Sequence, residues 1–333
     1  MSDSNSEALI FRAEELLPAT WRHFIGQGPL RAFNPGLLRD GDGWIFASRI
    51  VTPDGRRRIS ACRLDASFQL IGGSQAPLSD HVRFRPDGHY PEIATQWFAD
   101  PRLYRFEGRL FVYWNSGWHE PRNYQFLQEL DSATLLPRGH PRELLLAGER
   151  QKLEKNWTLF DAGGSGSYFA VYSILPHRVL HFSLDGDGDI LFSDAARGEW
   201  TLQGYPPAHG GLRGGAPPCL HDGAFWSFCH SVHDGVNGYR YAPAAYCFAP
   251  THPFTPTAQP ISPLAFAGAD GDRRTHERLN PAVGEVIYPC GAAWDGTRWA
   301  VSHGVNDESC AISFVTPEAV RATLRSVGRS VQA

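Results

Sequence analysis

Leu103-Tyr-Arg-Phe-Glu107-Gly108-Arg-Leu-Phe-Val-Tyr-Trp114 is an apolar run, a two-residue turn and a second apolar run. A Glu-Gly pair supplies the φ > 0 geometry of a tight turn, so the stretch predicts a β-hairpin. The phrase recurs four times: Leu37 to Ile50 around Asp42-Gly43, Leu159 to Ile174 around Gly164-Ser165-Gly166, Pro218 to Val232 around Asp222-Gly223, and Ala292 to Val305 around Asp295-Gly296. Turn glycines 43, 108, 166, 223 and 296 are spaced 65, 58, 57 and 73 residues apart. Hairpins at blade-sized intervals predict an all-β chain, a five-bladed β-propeller over residues 30–315.

The rest of the 333 residues agrees with one large β domain over 1–333. No linker or charge block divides the chain, and the 34 Gly and 25 Pro are spread as many short strands require. Residues 6–17 carry apolar side chains at helical spacing and predict a short N-terminal helix. Thr316-Pro317-Glu318 reads as a cap, a first-turn proline and a dipole-matched acid, predicting a C-terminal helix over 316–328.

Composition excludes several classes of function. A net charge of -4 gives no footprint for nucleic acid or an anionic membrane, and no apolar run is long enough to cross a bilayer. The opening residues show no basic-then-apolar leader, and the six cysteines form no Cys-x-x-Cys pair. Both point to a cytoplasmic protein with reduced thiols. Asp185-Gly-Asp-Gly-Asp189 fails as a calcium loop, since Ile190 and Ala196 occupy the glycine and glutamate positions; a hairpin turn is expected instead. His221, His230 and His233 match no zinc spacing, and no Gly-x-Ser-x-Gly elbow occurs. No metal and no resident cofactor is expected.

In a hairpin, the start of the first strand and the end of the second share an edge. Read across the five repeats, the starts carry Asn34-Pro35, Asp100-Pro101-Arg102, Glu154-Lys155-Asn156-Trp157, Arg213-Gly214-Gly215 and Pro289-Cys290-Gly291. The ends carry Ser48-Arg49, Asn115, Ser173 to His177, His230 and His303, with Asp307 close behind. The turn tips hold only Asp, Glu, Gly and Ser. Carboxylate, cations, imidazoles and amides therefore gather at one rim, which suits a multi-hydroxyl ligand or a sugar with a phosphate.

At these same residues the chain resembles glycoside hydrolase family 130, the β-mannoside phosphorylases, and the related β-1,2-mannosyltransferases. Matching pieces are Phe33-Asn-Pro-Gly36, Phe98-Ala-Asp-Pro-Arg102, Glu154-Lys-Asn-Trp-Thr-Leu-Phe160, Gly215-Ala-Pro-Pro218, Phe228-Cys-His-Ser-Val232, Val286-Ile-Tyr-Pro-Cys-Gly291 and Gly304-Val-Asn-Asp307. They run in order from about 33 to 315. The resemblance implies an inverting enzyme that makes or cleaves β-mannosidic bonds by phosphorolysis or glycosyl transfer, with inorganic phosphate or a sugar nucleotide as co-substrate.

It implies Asp100 as the general acid, acting through a sugar hydroxyl. Asn34, Arg49, Asn115, His230, Tyr241, His303 and Asp307 are implied to hold sugar, and Arg122, Lys155 and His177 to hold phosphate. Ala99 in place of Glu, Ser231 in place of Gly, and Ser173-Ile-Leu-Pro-His177 in place of a His-Arg-Pro segment depart from the family pattern. Two other readings stay open: hydrolysis, with Glu154, Asp234 or Asp307 activating water, and a non-catalytic sugar-binding propeller. The expected partner is an oligosaccharide or sugar phosphate, and a homo-oligomer is left open.

Overall fold

The computed structural model describes residues 8–117, 122–163, 166–235, 238–266, 279–281 and 283–328. Its strands form three sheets, of 3, 8 and 10 strands, within which five antiparallel groups follow one another along the chain; Arg142–Leu146 pairs in parallel with Ile190–Gly198, and Gly238–Phe248 with Val283–Trp294, so groups two and three, and four and five, are continuous. The first is Arg31–Asp40, Gly43–Val51 and Arg57–Leu64. The second is Ala99–Phe106, Arg109–Asn115, Gln125–Leu130 and Arg142–Leu146; the third is Thr158–Asp161, Tyr168–Ser173, His177–Phe182 and Ile190–Gly198. In the fourth, Gly211–Arg213 and Cys219–His221 both pair with Ala224–Gly235, followed by Gly238–Phe248 and Pro256–Pro260. The fifth is Val283–Trp294, Trp299–Val305 and Ser309–Val315.

All five predicted hairpins are present. Phe106 pairs with Arg109 and His221 with Ala224, so Glu107-Gly108 and Asp222-Gly223 are two-residue turns. All four turn residues have positive φ, as the twist of a tight hairpin demands. In the first hairpin Asp40 pairs with Gly43, which moves the turn one residue back to Gly41-Asp42. The Asp295–Arg298 loop is longer, and the Asp295 carboxylate accepts the backbone N–H groups of Thr297 and Arg298. Gly164 and Ser165 of the third turn lie outside the described residues.

Apolar side chains point between the groups, so the core divides into separate clusters. One lies between groups one and two (Ile45, Ile59, Leu103, Trp114), one between two and three (Phe106, Tyr113, Leu159, Phe182), and one between three and four (Phe160, Val179, Phe225, Tyr246). A fourth lies between four and five (Phe228, Ala245, Trp299, Val301). A fifth joins group five back to group one (Phe314, Ile312, Phe46, Trp44).

Both chain ends differ from the sequence expectation. Ala8–Phe11 is a strand, paired antiparallel with Cys310 to Ser313, and only Ala13–Leu16 turns as a short 3-10 segment. The open edge of Ser309–Val315 offers unpaired N–H and C=O groups, and the N-terminal residues satisfy them; that gain outweighs local helical spacing. The C-terminal helix forms with Thr316 capping the Ala319 N–H, but it is confined to Pro317–Ala322. Leu324–Ser326 then pairs with Pro256–Pro260 and completes the edge of group four.

Candidate functional site

The inner strands of the five groups meet through side chains at their starts. The Asn34 amide donates to Asp100 Oδ1 at 2.7 Å, joining groups one and two. Ser302 Oγ donates to the Pro35 carbonyl at 2.5 Å, joining five to one. Arg102, with no exposed surface, donates through Nε to the Gly215 carbonyl at 2.6 Å and through Nη2 to the Tyr288 hydroxyl at 2.7 Å. That hydroxyl in turn donates to Asn156 Oδ1 at 2.8 Å, reaching group three.

Local backbone geometry explains why these residues face one another. The pairing register slips between Phe33 and Gly36 and between Ala99 and Arg102, so Asn34-Pro35 and Asp100-Pro101 are bulges at equivalent places. A bulge turns a side chain out of the ladder, commonly beside an active site. Asn34 (φ 53°) and Asp100 (φ 54°) sit in the left-handed region, as do Asn156, Asn306 and Asp307. Among residues with a Cβ, Asn and Asp enter that region most readily, which accounts for the Asx residues at these points.

Around Asp100 the charges are dense. Asn115 Nδ2 donates to Oδ2 at 3.3 Å, and Arg49 Nη1 lies 3.6 Å from Oδ1. Arg49 also stacks over the Phe33 ring at 4.7 Å, which fixes its direction. Burial alone raises the Asp100 carboxyl, but Arg49, the Asn34 amide, Lys155 and Arg102 outweigh it and hold the group below the usual carboxylate range. Asp307 is displaced the other way, pushed up by burial and by the Asp100 charge against the pull of Arg49 and Lys155. Lys155 is pushed down by burial, with Asp100 and Asp307 opposing and Arg213 and Arg49 assisting.

His230 completes one wall, its ring 4.9 Å from Tyr241 and 4.7 Å edge-on to Tyr288. Burial, then Lys155 and Arg213, keep this imidazole neutral, well below 6.5. Among the described residues, neither the Lys155 nor the Arg213 side chain has a hydrogen-bond or ion-pair partner. Four buried polar atoms here also lack one: Asn34 Oδ1, Arg49 Nε, Arg102 Nη1 and His230 Nδ1. Buried polar atoms are normally satisfied, so this wall is shaped for a polar ligand.

Asn34, Arg49, Asn115, Lys155, His230, Tyr241 and Asp307 thus lie close together around Asp100. The structure sets three other sequence candidates apart from it. Arg122 is bound to Glu143 Oε1 at 2.6 Å and stacks over Tyr124. His177 packs against Tyr246 and Phe248 and lines a different cleft with Arg197, Trp200 and Pro253. His303 is fully buried, with Nε2 2.9 Å from Ser313 Oγ and its ring stacked on Phe266.

Glu154, a candidate for activating water, has both carboxylate oxygens occupied by Gln151 N–H (2.8 Å), the Tyr172 hydroxyl (3.2 Å) and the Trp157 indole (3.3 Å). Asp234 is exposed on its strand. Sequence reasoning left out Arg102, Asn156, Arg213 and Tyr288 as site residues. Each lies in or beside a strand-start segment at the rim, and that position was the available signal.

The fold is that of the GH130 mannoside phosphorylases and their relatives. A β-1,2-mannobiose phosphorylase from Listeria innocua, solved with β-1,2-mannobiose, superposes on 95% of this chain and 98% of its own, with TM-score 0.59 and 14% identity. A GH130 structure, from work on glycoside hydrolases that target β-1,2 mannosidic linkages in Candida mannan, covers 96% of both chains at TM-score 0.62 and 11% identity. A GDP-Man-dependent mannosyltransferase from Leishmania mexicana covers 95% of this chain and 91% of its own at TM-score 0.56 and 11% identity. At such identities the likeness is one of fold. No family model and no curated protein sequence matches the chain.

Proposed function

We propose that the protein is an inverting carbohydrate-active enzyme that makes or cleaves β-mannosidic bonds, by phosphorolysis or by transfer from a sugar nucleotide. We read its scaffold as a five-bladed β-propeller: the five strand groups in chain order, and the cluster that joins the fifth to the first, support that reading.

The observation that carries the functional reading is a surplus of basic over acidic side chains around Asp100. Arg49, Lys155, Arg213 and buried Arg102 surround two acids, Asp100 and Asp307, the second raised by burial. A neutral oligosaccharide calls for no such surplus, whereas a phosphate dianion or a diphosphate does. Lys155 with Arg213 would take the phosphate, replacing Arg122 and His177 in that role. Asn34, Arg49, Asn115, His230, Tyr241 and Asp307 would hold sugar hydroxyls.

An Asp100 held ionised suits the synthetic direction. There the carboxylate accepts the proton of the acceptor hydroxyl while the new glycosidic bond forms at C1 and the C1–O bond to phosphate breaks. The departing phosphate keeps its electron pair and is stabilised by the two cations. In reverse, a phosphate oxygen attacks C1 and protonated Asp100 returns its proton, through a sugar hydroxyl, to the leaving oxygen. Because phosphate is the nucleophile, no second catalytic carboxylate is required, unlike the usual glycosidase pair. No cofactor beyond the co-substrate enters, and the six free thiols suit a cytoplasmic setting.

The test is to incubate the protein with mannose 1-phosphate or GDP-mannose plus mannose acceptors, and separately with mannobiose plus phosphate. Product with at least one donor is expected, and Asp100→Asn should lower turnover by about 10²- to 10⁴-fold while sparing ligand binding. Failure of every combination would overturn the proposal. Free mannose released without phosphate would replace phosphorolysis with hydrolysis, and sugar binding untouched by Asp100→Asn with no turnover at all would leave a binding protein.

A further inference from the structure

Lys155 is one of only two lysines among the 31 basic side chains of the sequence, the other being Lys152. It is half-buried beside Asp100, and a lysine is a poor choice there unless something fixes it. Its stem has four rotatable bonds and carries about 2 kcal/mol of rotamer entropy. Lys155 has no hydrogen-bond partner of its own among the described residues, so its aim must come from the backbone beneath it.

We propose that Asn123 is a positioning residue whose side-chain amide clamps the main chain of Glu154 and thereby fixes Lys155 beside Asp100. Asn123 is buried, 1% exposed, and lies in the segment that leads into Gln125–Leu130. Its Oδ1 accepts the Glu154 N–H at 2.8 Å, and its Nδ2 donates to the Glu154 carbonyl. One amide thus makes the reciprocal pair of bonds that a neighbouring strand would make. Asn123 is itself held, since Arg150 Nη2 donates to its carbonyl at 2.6 Å.

Beyond Glu154 the chain is tied again by the Trp157 indole on Glu154 Oε2. Only Lys155 and Asn156 remain between two anchored residues. Asn156, at φ 66°, accepts the Tyr288 hydroxyl. Both side chains of the turn are therefore delivered to the site by a scaffold that touches no substrate. A displacement of about 1 Å in such a group costs on the order of 100-fold in rate.

What Lys155 holds rests on the phosphate reading above; the clamp does not. The test uses the whole chain with ¹³C-labelled lysine, which gives two lysine spin systems. In the wild type, Lys155 should titrate below the usual lysine range, because burial, Arg213 and Arg49 outweigh Asp100 and Asp307. In Asn123→Ala the Lys155 midpoint should rise into the usual lysine range, and binding of inorganic phosphate should weaken at least fivefold. In a Lys155→Met background the same change should alter phosphate binding less than twofold. Should Asn123→Ala fail to fold, the isosteric Asn123→Asp keeps one bond, loses the other and is read by the same resonance.

An unmoved Lys155 midpoint in a folded variant overturns the clamp. So does an equal loss of phosphate binding with and without Lys155, or unfolding of both variants. Wild-type protein that binds no phosphate, while Lys155 still responds to Asn123, overturns the phosphate reading and upholds the clamp.

Discussion

Mild acid should unfold this protein before its ordinary carboxylates are protonated. His177 and His303 are buried, and burial pushes both imidazoles from 6.5 down to about 4. His230 lies well below 6.5 for the same cause, with Lys155 and Arg213 adding their repulsion. The folded values are depressed, so the unfolded chain binds protons that the folded chain refuses. Stability is full above about pH 6.5 and falls as the pH drops towards 4. Each histidine contributes a slope of about 1.4 kcal/mol per pH unit inside that window. His177 and His303 together remove on the order of 6 kcal/mol across it, a large part of the ~5–15 kcal/mol that holds a domain folded. Glu143 and Asp307, both raised by burial, act in the opposite sense and return a share. The assay is urea unfolding followed by tryptophan fluorescence at pH 7.5, 6.5, 5.5 and 4.5. A net uptake of at least one proton on unfolding is expected near pH 5.5, and His177→Phe should flatten the slope by about one proton. A flat stability between pH 6.5 and 4.5, or a slope indifferent to His177→Phe, would refute the reasoning.

The other consequences can be checked with the same unfolding and turnover measurements. Asp307→Asn removes an acid whose folded pKa is raised, so it should raise the urea midpoint at neutral pH, with the gain shrinking as the pH falls, and should weaken sugar binding. Tyr288→Phe deletes the hydroxyl that accepts from Arg102 and donates to Asn156, taking one hydrogen bond from the buried guanidinium and one from Asn156; a loss of about 2–3 kcal/mol is expected. Gly304→Ala would drive a methyl group into Asn34 Oδ1. It should cost about 1–3 kcal/mol and depress turnover through the displaced Asn34–Asp100 bond, and an unchanged kcat would count against Asn34 as an Asp100 partner.

The hairpins were legible because turn chemistry is local. Glu107-Gly108 and Asp222-Gly223 supply positive φ wherever they occur, and the strands follow. What failed was also local, and for a physical reason. Leu9, Ile10, Ala13, Leu16 and Leu17 do carry helical spacing, but so short a segment has little helix stability of its own. The edge of Ser309–Val315, some 300 residues away in sequence, decided its structure. In the C-terminal helix the cap at Thr316 could be read, while its end at Ala322 was set by the pairing of Leu324–Ser326 with Pro256–Pro260.

The candidate site divides along the same line. A strand-end rule finds the rim but not the face, because side chains alternate along a strand and a shift of one residue reverses their direction. His230 and His303 occupy comparable strand ends, yet His230 meets Tyr241 and Tyr288 while His303 turns onto Phe266 and Ser313. Charge partners are equally invisible: Arg122 is captured by Glu143, 21 residues further on, whereas Arg213 has no ion-pair partner among the described residues. The bulges are no exception. Asn34-Pro35 and Asp100-Pro101 each place an Asx residue, a type that enters the left-handed region more readily than others with a Cβ, before a proline that has no N–H to give the ladder. The bulge itself was not legible, since Asn34-Pro35 looks like an ordinary turn dipeptide; the strand-start position placed both residues at the rim, where a 2.7 Å hydrogen bond joins them.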